Sequence, residues 1–303
     1  MDKGGGGVKL EIQNLSKRID GNVVLKHINL SIPMGSIFGI VGRNGSGKTT
    51  LFRTIASHYL MDEGMVSIDG RDINKEVCLK NDIFFLDPQY QPLNKMRLRT
   101  IESYFYLLYP LFDSKRYWEL IEKHQLPDDQ FQKYSKGMQC LLLVIIALCS
   151  NCSYIILDEP LDGLDVIVRK QVVDLMIDAI SDQDRSIILA SHNLNELEKL
   201  ADQVAFIKEH SIVSILNLST VKMSIRKLQI AFKDYELPQF IKQEAKHITH
   251  EGRVSTVIFE NYSDELMERI NNCEPLLIEE LPLTLEDLFI SKFSGHDMPD
   301  ERE

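Results

Sequence analysis

The sequence has no long apolar run. Its longest, Cys140 to Cys149, is ten residues, about half of the roughly 20 that a helix needs to cross a bilayer, so no membrane span is expected. Basic runs are missing too, and the formal charge is −11. The chain therefore lacks the positive footprint that neutralises phosphate backbones, and no direct nucleic-acid contact is expected. Cysteine is sparse: five, an odd number, stand at 78, 140, 149, 152 and 273 without a disulfide framework, which fits a reducing cytoplasm. Cys149 and Cys152 form a C-x-x-C, but no second pair or nearby His completes a zinc site, and a Cys in an apolar segment behaves as a small hydrophobe. His247 and His250 likewise lack metal-ligating partners. Residues 1–7, ending in four glycines, lack the apolar core of a signal peptide and read as a flexible N-terminal arm.

What is there has the make-up of an ordinary globular protein. Of 303 residues 44% are apolar and 26% charged, and at roughly 100–200 residues per domain the length suits one large domain and a smaller one. The stretch Gly42-Arg43-Asn44-Gly45-Ser46-Gly47-Lys48-Thr49 fits G-x-x-x-x-G-K-[ST] at every fixed position. Ahead of it Ile37, Phe38, Ile40 and Val41 suit a buried strand; behind it Thr50 to Ala56 suits a helix with Leu51 and Ile55 on one face. In that order the glycines let successive N–H groups turn inward on phosphate oxygens, and the helix adds the positive end of its dipole. Residues 42–50, Thr50 included, are the candidate nucleotide-binding set. Lys48 would bind the β- and γ-phosphates and the Thr49 hydroxyl a Mg²⁺ ion.

Around this loop the periodicity changes several times. Val8 to Leu15 alternates as a half-buried strand does, and a turn at Asp20-Gly21-Asn22 leads to the alternating Ile28, Leu30 and Ile32. Met65 to Ile68 and Ile83 to Leu86 add strands, the second stopping at Asp87-Pro88-Gln89. From Ile101 to about Gln132 the pattern is helical and rich in aromatics: Tyr104, Phe105, Tyr106, Tyr109, Phe112, Tyr117 and Trp118. That is more than one buried face uses, so core and partner-docking surface both stand as readings. Ser135-Lys136-Gly137-Met138 then opens an apolar helix. Tyr154-Ile155-Ile156-Leu157 ends in Asp158-Glu159, the pattern of a central parallel strand whose carboxyl end meets ligand. There Asp158 can reach a Mg²⁺ ion, and Glu159 can act as base for a water. Ile187 to Ala190 is a further strand, ending at Ser191-His192.

Taken together, these residues resemble the ATP-binding subunits of ABC transporters: phosphate loop, Gln89, Ser135-Lys136-Gly137-Met138, the Asp158-Glu159 strand and His192 follow in that order over residues 8 to about 215. The resemblance implies an α/β fold of the P-loop NTPase, ABC ATPase type. Its RecA-like core would carry an antiparallel β subdomain and a helical subdomain at about 90–150, within a nucleotide-binding domain of residues 8–215. It also implies two subunits packed head to tail around two ATP molecules, as a homodimer or with a closely related ATPase subunit. In that arrangement Ser135 and the Gly137 amide contact the γ-phosphate held by the partner's Lys48, and Asp165 crosses to the other site. Gln89 joins Mg²⁺ and the attacking water, Glu159 polarises that water, and His192 keeps the γ-phosphate and Glu159 in register. The implied partners are integral membrane permease subunits, with the chain peripheral on the cytoplasmic face of the membrane.

Departures narrow the resemblance. Lys136 and Met138 replace the first Gly and the Gln of the usual Leu-Ser-Gly-Gly-Gln, as in a bacterial export-type branch that includes proteins for acetoin utilisation or peptide-antibiotic resistance. Ile19 stands where the aromatic that stacks on adenine is expected, and Cys140-Leu141-Leu142 replaces basic residues. Residues 216–295 alternate and then turn helical as a small α+β extension would, and 296–303 form an acidic tail. The alternatives are a soluble ABC ATPase acting on ribosomes or DNA and a GTPase switch. The first would carry paired domains, zinc modules or long coiled coils, and the second an N-K-x-D motif that Asn74-Lys75-Glu76-Val77 and Asn94-Lys95-Met96-Arg97 both fail.

Overall fold

Asp20 and Gly21 both adopt positive φ, the backbone of a two-residue hairpin turn, and they join strands β1 (Lys9–Ile19) and β2 (Asn22–Pro33). β1 runs past the alternation visible in the sequence. Its register slips between Ile12 and Leu15 and again before Lys17, so inward and outward positions change places while pairing continues. The computed structural model describes residues 9–87, 92–181, 185–234 and 236–288. In chain order there follow β3 (Ile37–Val41), helix α1 (Lys48–Ile55), β4 (Glu63–Ile68), β5 (Arg71–Asp72) and β6 (Ile83–Phe85). The strands β2-β1-β4-β5 form an antiparallel sheet whose apolar side, Leu10, Ile12, Leu30 and Val66, joins one core with Phe38 and Phe52.

The helical segment contains α2 (Leu98–Leu108), α3 (Ser114–Lys123) and α4 (Lys136–Cys149). Phe105, Phe112 and Tyr117 turn inward, with ring centroids 6.4 and 5.9 Å apart along that chain of contacts, and the Tyr117 hydroxyl donates to the Leu98 carbonyl at 3.1 Å. Asp113 caps α3 by accepting the Arg116 amide. Tyr106, Leu107, Leu108, Leu111 and Trp118 face outward. The aromatics thus divide between core and surface, and leucine supplies most of the exposed apolar area.

The chain continues with β7 (Tyr154–Asp158), α5 (Val166–Ile180), β8 (Ser186–Ser191), α6 (Leu194–Leu200), β9 (Gln203–Lys208) and β10 (Ser211–Asn217). The second sheet has the order β10-β9-β3-β8-β7-β6, with parallel pairing from β9 through β6. Its central strands are apolar on both faces because helices cover them, as parallel sheets require. Val41 lies opposite Ser191, and Asp158 opposite Ala190, so three neighbouring strands end level.

The chain divides into two compact units between Leu216 and Asn217. The second unit opens with α7 (Leu218–Ser224), then runs β11 (Arg226–Ala231), α8 (Gln239–Glu244), β12 (His247–Glu251), β13 (Val254–Phe259), α9 (Asp264–Asn271) and β14 (Leu277–Leu281). Its sheet is antiparallel in the order β12-β13-β11-β14, a split βαβ arrangement repeated as β-α-β-β-α-β. Leu228, Ile230, Val257 and Phe259 pack on Ile241 of α8 and Ile270 of α9. The edge strands β12 and β14 are not evident in the sequence because each carries polar residues on both faces, which removes the alternation.

The inward and outward assignments in the helical segment are testable by chemical denaturation. Tyr117 is fully buried and Leu107 is 83% exposed, so Tyr117→Ala should cost about 3–5 kcal/mol. Leu107→Ala should stay within about 0.5 kcal/mol. Equal costs would contradict the packing.

Candidate nucleotide site

The phosphate loop occupies the end of β3. Gly47 precedes α1 with φ 106, and a Cβ there would stand 2.8 Å from the Val24 carbonyl oxygen, so only glycine lets the loop lie against β2. Lys48, 6% exposed, folds back and donates to the Gly42 carbonyl at 2.7 Å and to that of Arg43 at 3.3 Å. The Ser46 hydroxyl is buried beneath the loop without a hydrogen-bond partner among the described residues. An orphaned hydroxyl in a glycine-rich loop at the N-terminus of α1 fits a phosphate oxygen, which would satisfy it. Arg43, Asn44 and Gly45 are exposed at the loop's rim.

The Thr49 hydroxyl donates to Asp158 Oδ2 at 2.6 Å, which locks the first turn of α1 to the end of β7. Burial pushes the Asp158 carboxyl above its ordinary range; the Thr49 hydrogen bond opposes that shift and the charge of Glu159 adds to it. A hydroxyl with a part-buried carboxylate is a hard oxygen set of the type that suits Mg²⁺, and a cation there would offset the burial of Asp158. The residues present therefore fit the metal, and Thr49 and Asp158 are the ones that would hold it. Gln89, the third expected ligand, lies outside the described residues.

Glu159 follows β7 with φ 48, a left-handed conformation that an ordinary residue enters only at some cost. Its amide donates to the Ala190 carbonyl at 3.1 Å, which holds the turn to β8. The carboxylate is thereby brought 3.7 Å from Lys48 Nζ and 3.4 Å from His192 Nδ1. His192 stands just beyond β8, where the Ser191 hydroxyl accepts the Asn193 amide at 2.9 Å and Asn193 caps α6. Lys48, Thr49, Thr50, Asp158 and Glu159 line one cleft with Asn44, Gly45 and Gly47. Val24 also lines it, a residue the motif does not mark; its place in β2 beside the hairpin is the only signal in the sequence. Among the described residues the cleft's lining contains no aromatic ring, and Ile19 is half-buried at the end of β1.

Ser135, Gly137 and Asp165 are not in this cleft. Ser135 caps α4, accepting the Met138 amide at 3.2 Å, and Asp165 caps α5, accepting those of Ile167 and Val168 at 2.9 and 3.0 Å. Cys149 and Cys152 are buried, and burial raises both thiols to about 12. No cluster of three or more His, Cys, Asp or Glu able to hold a metal occurs among the described residues.

Residues 25–162 match the family model described as ABC transporter. The chain is 32% identical over 287 residues to the ABC transporter ATP-binding protein YtrB of Bacillus subtilis, covering 94% of this chain and 98% of that one. It is 26% identical to the bacitracin transport ATP-binding protein BcrA of Enterococcus faecalis, covering 79% and 80%. A solved dimeric bacterial ABC transporter cassette superposes with a TM-score of 0.60 at 21% identity, covering 69% of this chain and 98% of that one.

Val24 lines the cleft and Ile19 stands where the resemblance places the base; aliphatic side chains there would offer contact area to either purine without an aromatic face. Adenosine and guanosine triphosphates should bind the magnesium-free protein within about tenfold of each other, and Ile19→Tyr should tighten both. A hundredfold preference for one purine in direct titrations would contradict this account.

Proposed function

The chain belongs to the family of ABC transporter ATP-binding proteins, and from that premise we propose that it is the motor subunit of a bacterial exporter whose membrane-spanning permease is a separate chain. Like its family it binds ATP and hydrolyses it in support of transport. The placement of Glu159 between Lys48 and His192 carries the mechanistic reading. The loop amides and Lys48 hold the triphosphate; Thr49 and Asp158, with Gln89 as the resemblance implies, would hold Mg²⁺, which would supply positive charge against the reacting phosphoryl group. Glu159 takes the proton as water oxygen bonds to the γ-phosphorus and the bond to the ADP oxygen breaks. His192 keeps Glu159 and the γ-phosphate in register, so catalysis is positioning and charge stabilisation. Ser135 and the Gly137 amide complete the site of a partner subunit, identical or closely related, and Asp165 crosses between the two. A lone chain should therefore turn over slowly.

Export is supported by the similarity to a bacitracin transport subunit and by the Ser135-Lys136-Gly137-Met138 variant, which resembles subunits for acetoin utilisation or peptide-antibiotic resistance. No helix among the described residues is long and apolar enough to cross a membrane, in keeping with a chain peripheral on the cytoplasmic face. The outward Tyr106, Leu107, Leu108 and Leu111 of the helical segment form the proposed seat of the permease. That apolar surface suits a protein interface more than water.

Glu159→Gln keeps size and hydrogen bonding but removes the charge, so hydrolysis should fall by about 10²-fold or more while ATP binding survives and traps a dimer. Wild-type turnover in that variant would remove Glu159 from the role of base. For docking, Tyr106→Ala with Leu107→Ala, and Leu108→Ala with Leu111→Ala, should each reduce co-purification with the membrane partner about thirtyfold. ATP binding should be retained in both pairs; full recovery of the partner in both would refute this seat.

A further inference from the structure

Within one chain, α4 and the loop carrying Glu159 are fastened to each other. Lys136 is the first residue of α4, where the positive end of the helix dipole disfavours a cation. Its side chain leaves that end and donates to Asp162 Oδ2 at 2.8 Å. One helical turn further on, the Cys140 thiol donates to the Pro160 carbonyl at 2.8 Å, and burial raises that thiol to about 12, so it remains a donor at neutral pH. Gly163 has φ 68, and a Cβ there would lie 2.9 Å from Lys136 Nζ. Glycine thus accommodates the left-handed turn and leaves room for the ammonium. The segment between Glu159 and Asp165 is held at Pro160 and Asp162 by two residues on one face of α4.

Building on the composite two-ATP site proposed above, we propose that Lys136 and Asp162 are a positioning pair that links hydrolysis at the two sites. The helix end that serves the partner's nucleotide moves with the loop that holds Glu159 over the chain's own. The side chains of the pair are 64% and 46% exposed, and an ion pair this open adds little to stability. Its effect falls on the geometry of the short loop from Glu159 to Asp162, because a small misplacement of a base is costly to rate.

The experiment measures hydrolysis against ATP concentration for full-length Lys136→Met, Asp162→Asn, the double variant, and the exchange of Lys136→Asp with Asp162→Lys. Each single change should lower kcat about tenfold, leave the half-saturating ATP concentration within about twofold, and bring a Hill coefficient above 1 down toward 1. The double variant should lose no more than either single, the exchange should restore most of kcat, and thermal midpoints should not move. Wild-type kcat and Hill coefficient in the singles, additive losses in the double, or a wild-type coefficient of 1 would overturn the link. Loss in Lys136→Met with full activity in Asp162→Asn would also overturn it, assigning the ammonium to the partner's phosphate instead. The size of Glu159→Gln with ATP separates the two levels of failure. If it stays monomeric, the composite site falls and the link with it; if it dimerises while the pair variants match wild type, only the pair's role falls.

Discussion

The hydrogen bond from Thr49 to Asp158 exists because β3, β8 and β7 end level in a parallel sheet, and most of the site depends on that alignment. Parallel pairing runs Ile37 to Ile187 and Tyr154 to Ser186 at the entry of these strands, so five-residue β3 and β7 beside six-residue β8 bring Val41, Ser191 and Asp158 within one residue of a common edge. A slip of one residue would turn every side chain of a strand to the other face, and Asp158 would leave Thr49. The apolar faces prevent that slip: Ile155, Ile156, Ile187 and Ile188 are buried on one side or the other. The core therefore sets the register, and the register sets the distance between hydroxyl and acid. Packing and chemistry are one constraint here.

How far this could be read in the sequence follows from the kind of signal each part leaves. The phosphate loop was legible because its spacing is dictated by backbone chemistry, and the central strands because burial on both faces makes them continuously apolar. The site's inner geometry was less so. Nothing in the residue order shows that Glu159 takes a left-handed φ or that its amide is held by Ala190, since both depend on a neighbouring strand 31 positions away in the chain. Val24 was likewise hidden, because it reaches the cleft by way of a hairpin. In the helical segment the count of aromatics was visible but their direction was not. Phe105 and Tyr117 face inward while Tyr106 and Leu107 face outward, a division decided by how α2 and α3 pack.

The second unit shows the same limit at the level of fold. Its inner strands β11 and β13 alternate clearly, but β12 (His-Ile-Thr-His-Glu) and β14 (Leu-Ile-Glu-Glu-Leu) carry the polar residues of edges. Only the pairing Gln229 to Glu279 and Thr256 to Thr249 identifies them as strands. A local period cannot reveal an element whose identity comes from a partner strand.

The position of Ser135-Lys136-Gly137-Met138 at the start of α4 bears on symmetry. Ser135 accepts a hydrogen bond from its own helix, which leaves its hydroxyl proton free to donate outward. α4 spans 14 residues, long enough for a developed dipole, so this end of the molecule favours an anion. Yet Ser135 does not line the cleft of the phosphate loop. The proposed phosphate loop and a helix end complementary to phosphate thus do not share one cleft. In the proposed dimer a single two-fold axis would satisfy both at once, since an isologous contact would pair the loop of one copy with the helix end of the other, twice. The same separation explains why a link inside the chain matters. In the proposed dimer, where the two halves of each site would lie on different subunits, the contacts from α4 to the Glu159 loop give a route inside one subunit, beside the crossing of Asp165, by which the state of one site can reach the other.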